Sequence, residues 1–335
     1  MGRRYRLFGR SLRSRLIRWL VGPRAIAVLY DAENGLILLT PEDTSVLAKR
    51  LGRRGMYGRG SLDALEPHLT PSSRVLFVGA HVGTLLIPVS KRVAHVCGIE
   101  ANPRTFELLR LNVHLNQVRN AELHHFAAGD AEREVEFFVN TSNSGGSKIR
   151  PRVEHYAFTY DRPEVVKVRM RRVDDVVKSG PFDVVVVDVE GAEALALAGM
   201  QRTLERCRVL HIEYIAEHLA LVAGIGVDEY LAPITPHFDA AILLDGDDRR
   251  LYPRESFAEM LEGVRSTDVL FLKADAAAVA AARFGGANGR LAGGNRLLAG
   301  GNGGPGVAAA RGRLKEVEAV GAYAATAQPE VLTVP

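Results

Sequence analysis

From residue 75 onward, short apolar runs alternate with segments of helical periodicity. The runs cover residues 75–78, 93–99, 121–126, 184–187 and 209–212. Runs this short, spaced by helix-length segments, predict parallel strands covered by helices on both faces. Between the third and fourth runs the chain makes a long excursion. Within it, residues 134–139 and 165–170 read as strands and flank the polar, glycine-bearing residues 140–148. An excursion of that length predicts a rim or lid over a site.

Upstream, the period changes. Phe8, Leu12, Leu16 and Leu20 recur at every fourth position beside Ile17, with arginines on the remaining faces, so residues 5–21 predict an amphipathic helix ended by Gly22-Pro23. Its apolar stripe suits either an anionic membrane surface or the protein's own domain. Residues 25–30 and 36–40 predict a β-hairpin turning at Asn34-Gly35, followed by a helix over residues 41–50. At the far end, 23 of the 37 residues in 274–310 are Ala or Gly, and Leu-Ala-Gly-Gly-Asn occurs at both 291–295 and 298–302. So few large side chains cannot offset the entropy of ordering, which predicts a flexible tail, with residues 274–283 extending a helix at most. The expected organisation is a basic helix (1–24), a hairpin with helices (25–72), one α/β domain (73–273) and the tail (274–335).

Charge sharpens this division. The chain carries a net +4, yet residues 1–24 hold eight arginines and no acid, so the remaining residues sum to −4. No basic stripe with interleaved aromatics accompanies the predicted sheet edge, which argues against nucleic acid as partner. The two cysteines, Cys97 and Cys207, have no neighbour at metal-ligand or redox spacing, which suits a reducing, cytoplasmic setting. No apolar run reaches the ~18–20 residues of a membrane span, and arginines interrupt the N-terminus too often for a signal peptide. The expected location is therefore cytoplasmic, with peripheral contact at a membrane's inner face through residues 1–22 as the alternative.

Three strand ends carry the candidate chemistry. In Val75-Leu-Phe-Val-Gly79-Ala80-His81-Val82-Gly83, a buried strand runs into a glycine turn and then a helix, where backbone can approach a ligand closely. Glu100 ends the next run, 21 residues after Gly79, at a position suited to accept both hydroxyls of a ribose. Asn102-Pro103 then reads as a helix cap and first turn. Finally, Val184-Val-Val-Val-Asp188-Val-Glu190-Gly191-Ala192-Glu193 delivers several acids to the carboxyl edge of the sheet. Together with His211 and Glu213 at the end of the fifth run, these are the candidate proton acceptors, with Glu193, one helical turn onward, expected to cap or pair.

This acidic run, ending in Leu197-Ala198-Gly199, resembles the hallmark of the FkbM family of S-adenosyl-L-methionine-dependent methyltransferases. Similar landmarks follow in order: residues 79–83, Glu100-Ala101-Asn102-Pro103, Asn112 to Asn116, residues 127–130, 143–147 and 173–175. The resemblance covers about residues 70–275. It implies a Rossmann-like class I methyltransferase fold, with a mostly parallel sheet and helices on both faces. The implied reaction is methyl transfer to a hydroxyl of a sugar, glycolipid or secondary metabolite, a small-molecule or glycan acceptor. On matching positions, Gly79, Ala80, His81, Gly83, Glu100, Ala101, Asn102, Ala128 and Asp188 are expected to hold the cofactor. Asp188, Glu190 and Glu213 are the expected catalytic residues, with no metal called for. Acceptor contacts are expected from residues 131–172 and 218–238.

Three positions depart from the family pattern: Phe77 stands where an acid is usual, His81 where Asn is usual, and Val186 where Lys is usual. Phe77 motivates an alternative reading, a cofactor-binding member of the fold without catalysis. A nicotinamide-dependent oxidoreductase is a further alternative. Against it, residues 79–83 lack the Gly-x-Gly-x-x-Gly spacing that accommodates a pyrophosphate.

Overall fold

The computed structural model describes residues 2–245, 250–284 and 332–333. In chain order its strands are β1 (Val28–Ala32), β2 (Gly35–Leu39), β3 (Arg74–Val78), β4 (His95–Glu100), β5 (Ala121–His125), β6 (Ala127–Ala128), β7 (Arg133–Val139), β8 (Lys148–Ile149), β9 (Glu164–Arg171), β10 (Val184–Val187), β11 (Val209–Ile215), β12 (Ala240–Leu243), β13 (Tyr252–Pro253), β14 (Ser266–Leu272) and β15 (Leu332–Thr333).

The five apolar runs become β3, β4, β5, β10 and β11, all parallel to one another. They form the middle of a sheet ordered β13-β12-β14-β11-β10-β3-β4-β5-β15, in which β14 runs antiparallel between β11 and β12. Alternate residues of each strand serve opposite faces. Val75, Phe77, Val184 and Val186 join one core with Ile87 and Leu109 from covering helices. Leu76, Val78, Val185 and Val187 join the other with Leu197 and Phe271. Strands buried on both faces need apolar residues at every position, which is why these runs are continuous rather than alternating.

The chain steps outward from β3 to β4 to β5, then returns to β10 on the opposite side of β3. A reversal of this kind opens a crevice at the carboxyl ends of the two central strands. Register decides what reaches it. Val78 pairs with both Ile99 and Val187, and Val187 pairs with Ile212. One residue further on, Gly79, Glu100, Asp188 and Glu213 therefore end up side by side.

The excursion after β5 builds a second sheet, ordered β6-β9-β7-β8, with β7 and β9 antiparallel. Its loop after β7 and the strand β8 fold over the crevice. Around the N-terminal hairpin, the bounds of all three elements differ from expectation. The strands are 28–32 and 35–39, and the following helix is Val46–Arg54 rather than 41–50. It starts late because the Ser45 hydroxyl caps it by accepting from the Ala48 N–H at 3.0 Å, while Asp43 and Thr44 are drawn away to residues 142 and 144.

The free edge of β2 has an unusual neighbour. The helix Pro103–Leu115 and its C-cap present Asn112 and Asn116, whose amides imitate a strand. Leu38 N–H donates to Asn112 Oδ1 at 2.7 Å, and Leu36 N–H to Asn116 Oδ1 at 2.9 Å. In return the two amide groups donate to the Leu38 and Leu36 carbonyls at 3.2 and 2.8 Å. Asn112 also donates to the Val82 carbonyl at 2.9 Å and is fully buried. Asn112→Ala leaves these backbone groups without that partner and is expected to cost about 1–3 kcal/mol. Urea unfolding measures it as a lower midpoint at unchanged slope.

The N-terminal helix spans Gly2–Val21 and docks through Leu7, which packs with Ala157, Phe158, Tyr160 and Val222. An Arg18–Glu42 ion pair fixes its other end. Residues 274–284 are helical, as expected, while the two pentapeptide repeats and the rest of the tail lie outside the described residues, except that β15 pairs with β5.

Candidate active site

A cavity of about 290 Å³ lies in the crevice. Gly79 forms its floor with φ of +86°, and a Cβ there would lie 1.7 Å from the Asp188 carbonyl oxygen. Only glycine lets the two strand ends close to this distance. Beside it, Ala80, His81, Glu100, Ala101 and Ala128 line the wall. Gly83 and Asn102 do not line the cavity. Gly83, at φ +89°, packs against Ile87 and Leu109, where a Cβ would meet them at 3.2 and 3.0 Å. Asn102 is fully buried, caps its helix by accepting from Arg104 and Thr105 N–H, and donates to Ser147 Oγ at 3.1 Å.

Glu100 is buried at the mouth of this wall. Its two oxygens accept from the His81 and Asn102 N–H groups at 2.9 and 2.8 Å, yet burial still pushes its pKa up to about 7. His81 is held near it in the left-handed region, φ 50°. Ser144 spends its one proton on Asp43 Oδ2 at 2.5 Å, so the His81 ring, 2.7 Å from the Ser144 oxygen, is assigned as the Nε2–H donor. Burial lowers the His81 pKa to about 4, which keeps this ring neutral.

At the other end, Asp188 and Glu213 open on the cavity side by side. Burial first, then repulsion from Glu190 and Asp268, raises Asp188 well above the ordinary carboxylate range. Glu213 is raised in the same way, by burial and then by Asp188 and Glu190. Glu190 differs. The Lys148 ammonium, only 1% exposed, donates to its Oε2 at 2.9 Å and lies 4.8 Å above the Phe158 ring. His218 Nδ1 stands 3.4 Å from the same oxygen. Glu190 occupies the left-handed region, φ 55°, which costs a non-glycine residue about 1 kcal/mol. Glu193 closes the turn from within, accepting from Gly191 N–H at 3.0 Å and Val189 N–H at 3.3 Å.

His211 does not line the cavity. It is buried behind Glu213, 3.6 Å from Asp268. Ligand atoms of Glu190, Glu213 and His218 approach within 4.8 Å of one another, a spacing that would admit a cation. The Lys148 ammonium already stands against Glu190 and supplies the positive charge. Lys148, Asp43 and Tyr57 escape sequence reasoning. Lys148 merely ends a polar run, and Asp43 and Tyr57 reach the site from the hairpin side with no motif around them.

A doubly wound sheet that reverses at β3 and β10, with a buried acid one strand beyond the glycine turn, defines the class I S-adenosylmethionine-dependent methyltransferase fold. Within that class, residues 78–243 match the methyltransferase FkbM domain. No curated protein matches the chain. Among solved structures, a methyltransferase FkbM from Methylobacillus flagellatus KT is 18% identical over 60% of this chain and 44% of its own, with a TM-score of 0.35. Trm5b from Pyrococcus abyssi is 8% identical over 75% of this chain and 56% of its own, with a TM-score of 0.40. TYW2 from M. jannaschii in complex with AdoMet is 13% identical over 75% of this chain and 89% of its own, at 0.38. The chain thus spans about half the length of the first two, at 44% and 56%.

FkbM methyltransferases use S-adenosyl-L-methionine, and the residues present fit it. The fit rests on Glu100, a carboxylate on the cavity wall with about four acceptor sites that its backbone N–H partners do not exhaust, so it can still accept from a hydroxyl. Ile99, Phe126, Ala127 and Ala128 give the cavity an apolar stretch of wall, which suits a nucleobase.

Proposed function

We propose that this protein transfers a methyl group from S-adenosyl-L-methionine to a hydroxyl of a sugar, glycolipid or secondary metabolite. The observation that carries this reading is the division of one cavity between a nucleoside-type wall at Glu100 and a proton-handling end at Glu190. When bound, the cofactor supplies an electrophilic methyl on a sulfonium. Glu100 holds the ribose hydroxyls, Gly79 and Ala80 border the amino-acid portion, and the slot at Ala128 takes the base. At the far end the acceptor hydroxyl lies against Glu190, whose carboxylate takes its proton as the oxygen gains the methyl carbon. Asp188 and Glu213, whose burial and neighbouring acids favour the protonated form, orient the acceptor through hydrogen bonds. Lys148 is a positioning residue that acts through Glu190. Acceptor contacts come from Asn143, Ser144 and Gly145 in the loop after β7.

Glu100 gives the first test. Its pKa is about 7 in the folded protein against an ordinary 4.5, so between those values the native state binds the extra proton and stability falls as pH rises. Ribose hydroxyls donate to the ionised form, so cofactor affinity rises with pH through the same group. Calorimetry is expected to give about tenfold tighter binding at pH 8 than at pH 6. Glu100→Gln is expected to bind weakly and equally at both. Undetectable cofactor binding by the parent protein at either pH would end the proposal. Mass spectrometry of hydroxylated acceptors, looking for the gain of one CH2 unit on oxygen, tests transfer itself.

A second reading rests on Phe77, which lines the cavity where the family usually carries an acid. Cofactor binding with no transfer to any hydroxyl acceptor would favour a non-catalytic member.

A further inference from the structure

The N-terminal helix is docked inside out. Leu7, Arg10, Ser11 and Ser14 face the domain and are buried, while the apolar stripe faces away from it. Tyr5, Phe8, Leu12, Leu16 and Trp19 are 74, 61, 57, 52 and 76% exposed, and Leu20 is exposed beside them. Their spacings of three, four, four and three residues set them on one line along the helix. The same geometry puts exposed Arg4 and Arg15 along one border of that line and exposed Arg13 along the other. Just beyond the helix end, Ile26 is also exposed. An amphipathic helix normally turns such a stripe to its own core. Here the polar and small residues, with one leucine, make the docking face instead.

We propose that this stripe is a docking surface for an anionic lipid bilayer. The argument for that occupant is charge and shape together: one apolar line of Phe, Leu, Tyr and Trp, bordered by arginines, in a segment without a single acid. Apolar side chains enter the acyl boundary while guanidinium groups meet lipid phosphates. Nucleic acid would satisfy the arginines but leave five large apolar side chains in water. The docked orientation also bears on the cleft. Leu7 on the inner face packs with Phe158, whose ring lies under Lys148, so a bilayer against the stripe lies on the outer side of the helix that backs the Glu190 end. That placement suits an acceptor carried on a lipid.

Trp19 is the only tryptophan in the sequence, so intrinsic fluorescence reports on the stripe directly. The full chain is titrated with vesicles of phosphatidylglycerol and phosphatidylcholine in equal parts, and with phosphatidylcholine alone. The expected result is a blue shift of Trp19 emission and co-sedimentation with the anionic vesicles, both weakened by added salt and absent with the neutral ones. The double variant Leu12→Glu, Leu16→Glu alters only exposed side chains. It is expected to keep the parent's thermal midpoint and to lose vesicle binding by about tenfold or more. No shift of Trp19 with anionic vesicles overturns the proposal, and that readout requires no variant. Equal vesicle binding by the double variant overturns it too. So does a parent that dimerises in light scattering, becomes monomeric on these substitutions and ignores vesicles, since a second copy would then be the occupant.

Discussion

Replacing Glu190 by Gln is expected to slow methyl transfer by about 10²–10⁴-fold while leaving cofactor affinity within about twofold. Three acids end at the reacting side of the cavity, and their surroundings separate them. Asp188 and Glu213 lie next to each other, raised well above the ordinary carboxylate range by burial and by neighbouring acids. Glu190 instead receives an ammonium hydrogen bond and holds a left-handed backbone, a strained arrangement of the sort found where side chains are aimed for a purpose. Asp188→Asn keeps a hydrogen-bonding group of like shape and is expected to cost less than Glu190→Gln. Lys148→Met removes the ammonium that holds the Glu190 carboxylate in place and is expected to lower kcat more than it raises KM. Steady-state rates of the three variants compare these roles.

Gly79→Ala is expected to be the most disruptive single methyl in the protein, costing about 3–5 kcal/mol or preventing soluble expression. The new Cβ would fall 1.7 Å from the Asp188 carbonyl oxygen and 2.8 Å from its carbon, and φ there is +86°. Neither neighbour is a side-chain tip that can swing away. Both belong to the backbone that delivers Asp188 to the cavity, so any relief separates β3 from β10 and widens the site. Gly145→Ala is the contrast. It lines the same cavity, but a Cβ there meets nothing within 4 Å and its φ is not left-handed, so it is expected to change stability by less than about 0.5 kcal/mol. Urea unfolding and calorimetry with the cofactor measure the pair.

The strands, their order of burial and the acids at their ends were legible because continuous apolar runs have one comfortable place, the middle of a parallel sheet. Once Val184–Val187 lies beside Arg74–Val78, the positions of Gly79, Asp188 and Glu213 follow from counting. Side-chain direction within a turn does not follow from counting. Gly83 and Asn102 stand in the same motifs as Ala80 and Glu100, yet one packs on a helix and the other caps it. Lys148 and Asp43 were hidden for a different reason. Each reaches the site from a loop or short strand placed by contacts distant in sequence, such as Asp43 to Ser144, and no local period records them. For the N-terminal helix the pattern announced a stripe, but only the packing of Leu7 could say which way it faces.

The asparagines along β2 also have a bearing on the cofactor turn. Asn112 bonds the Val82 carbonyl, and Asn34, in the tip of the hairpin, bonds the Thr84 carbonyl at 2.7 Å while exchanging hydrogen bonds with the Tyr57 backbone. The loop that carries Ala80 and His81 is thus moored from two sides, by Asn112 on a helix of the methyltransferase domain and by Asn34 from the hairpin outside it. A hairpin far from the ligand in sequence becomes the splint of its binding loop. Excising residues 25–72 as an appendage would untie that splint even if the sheet itself still assembled.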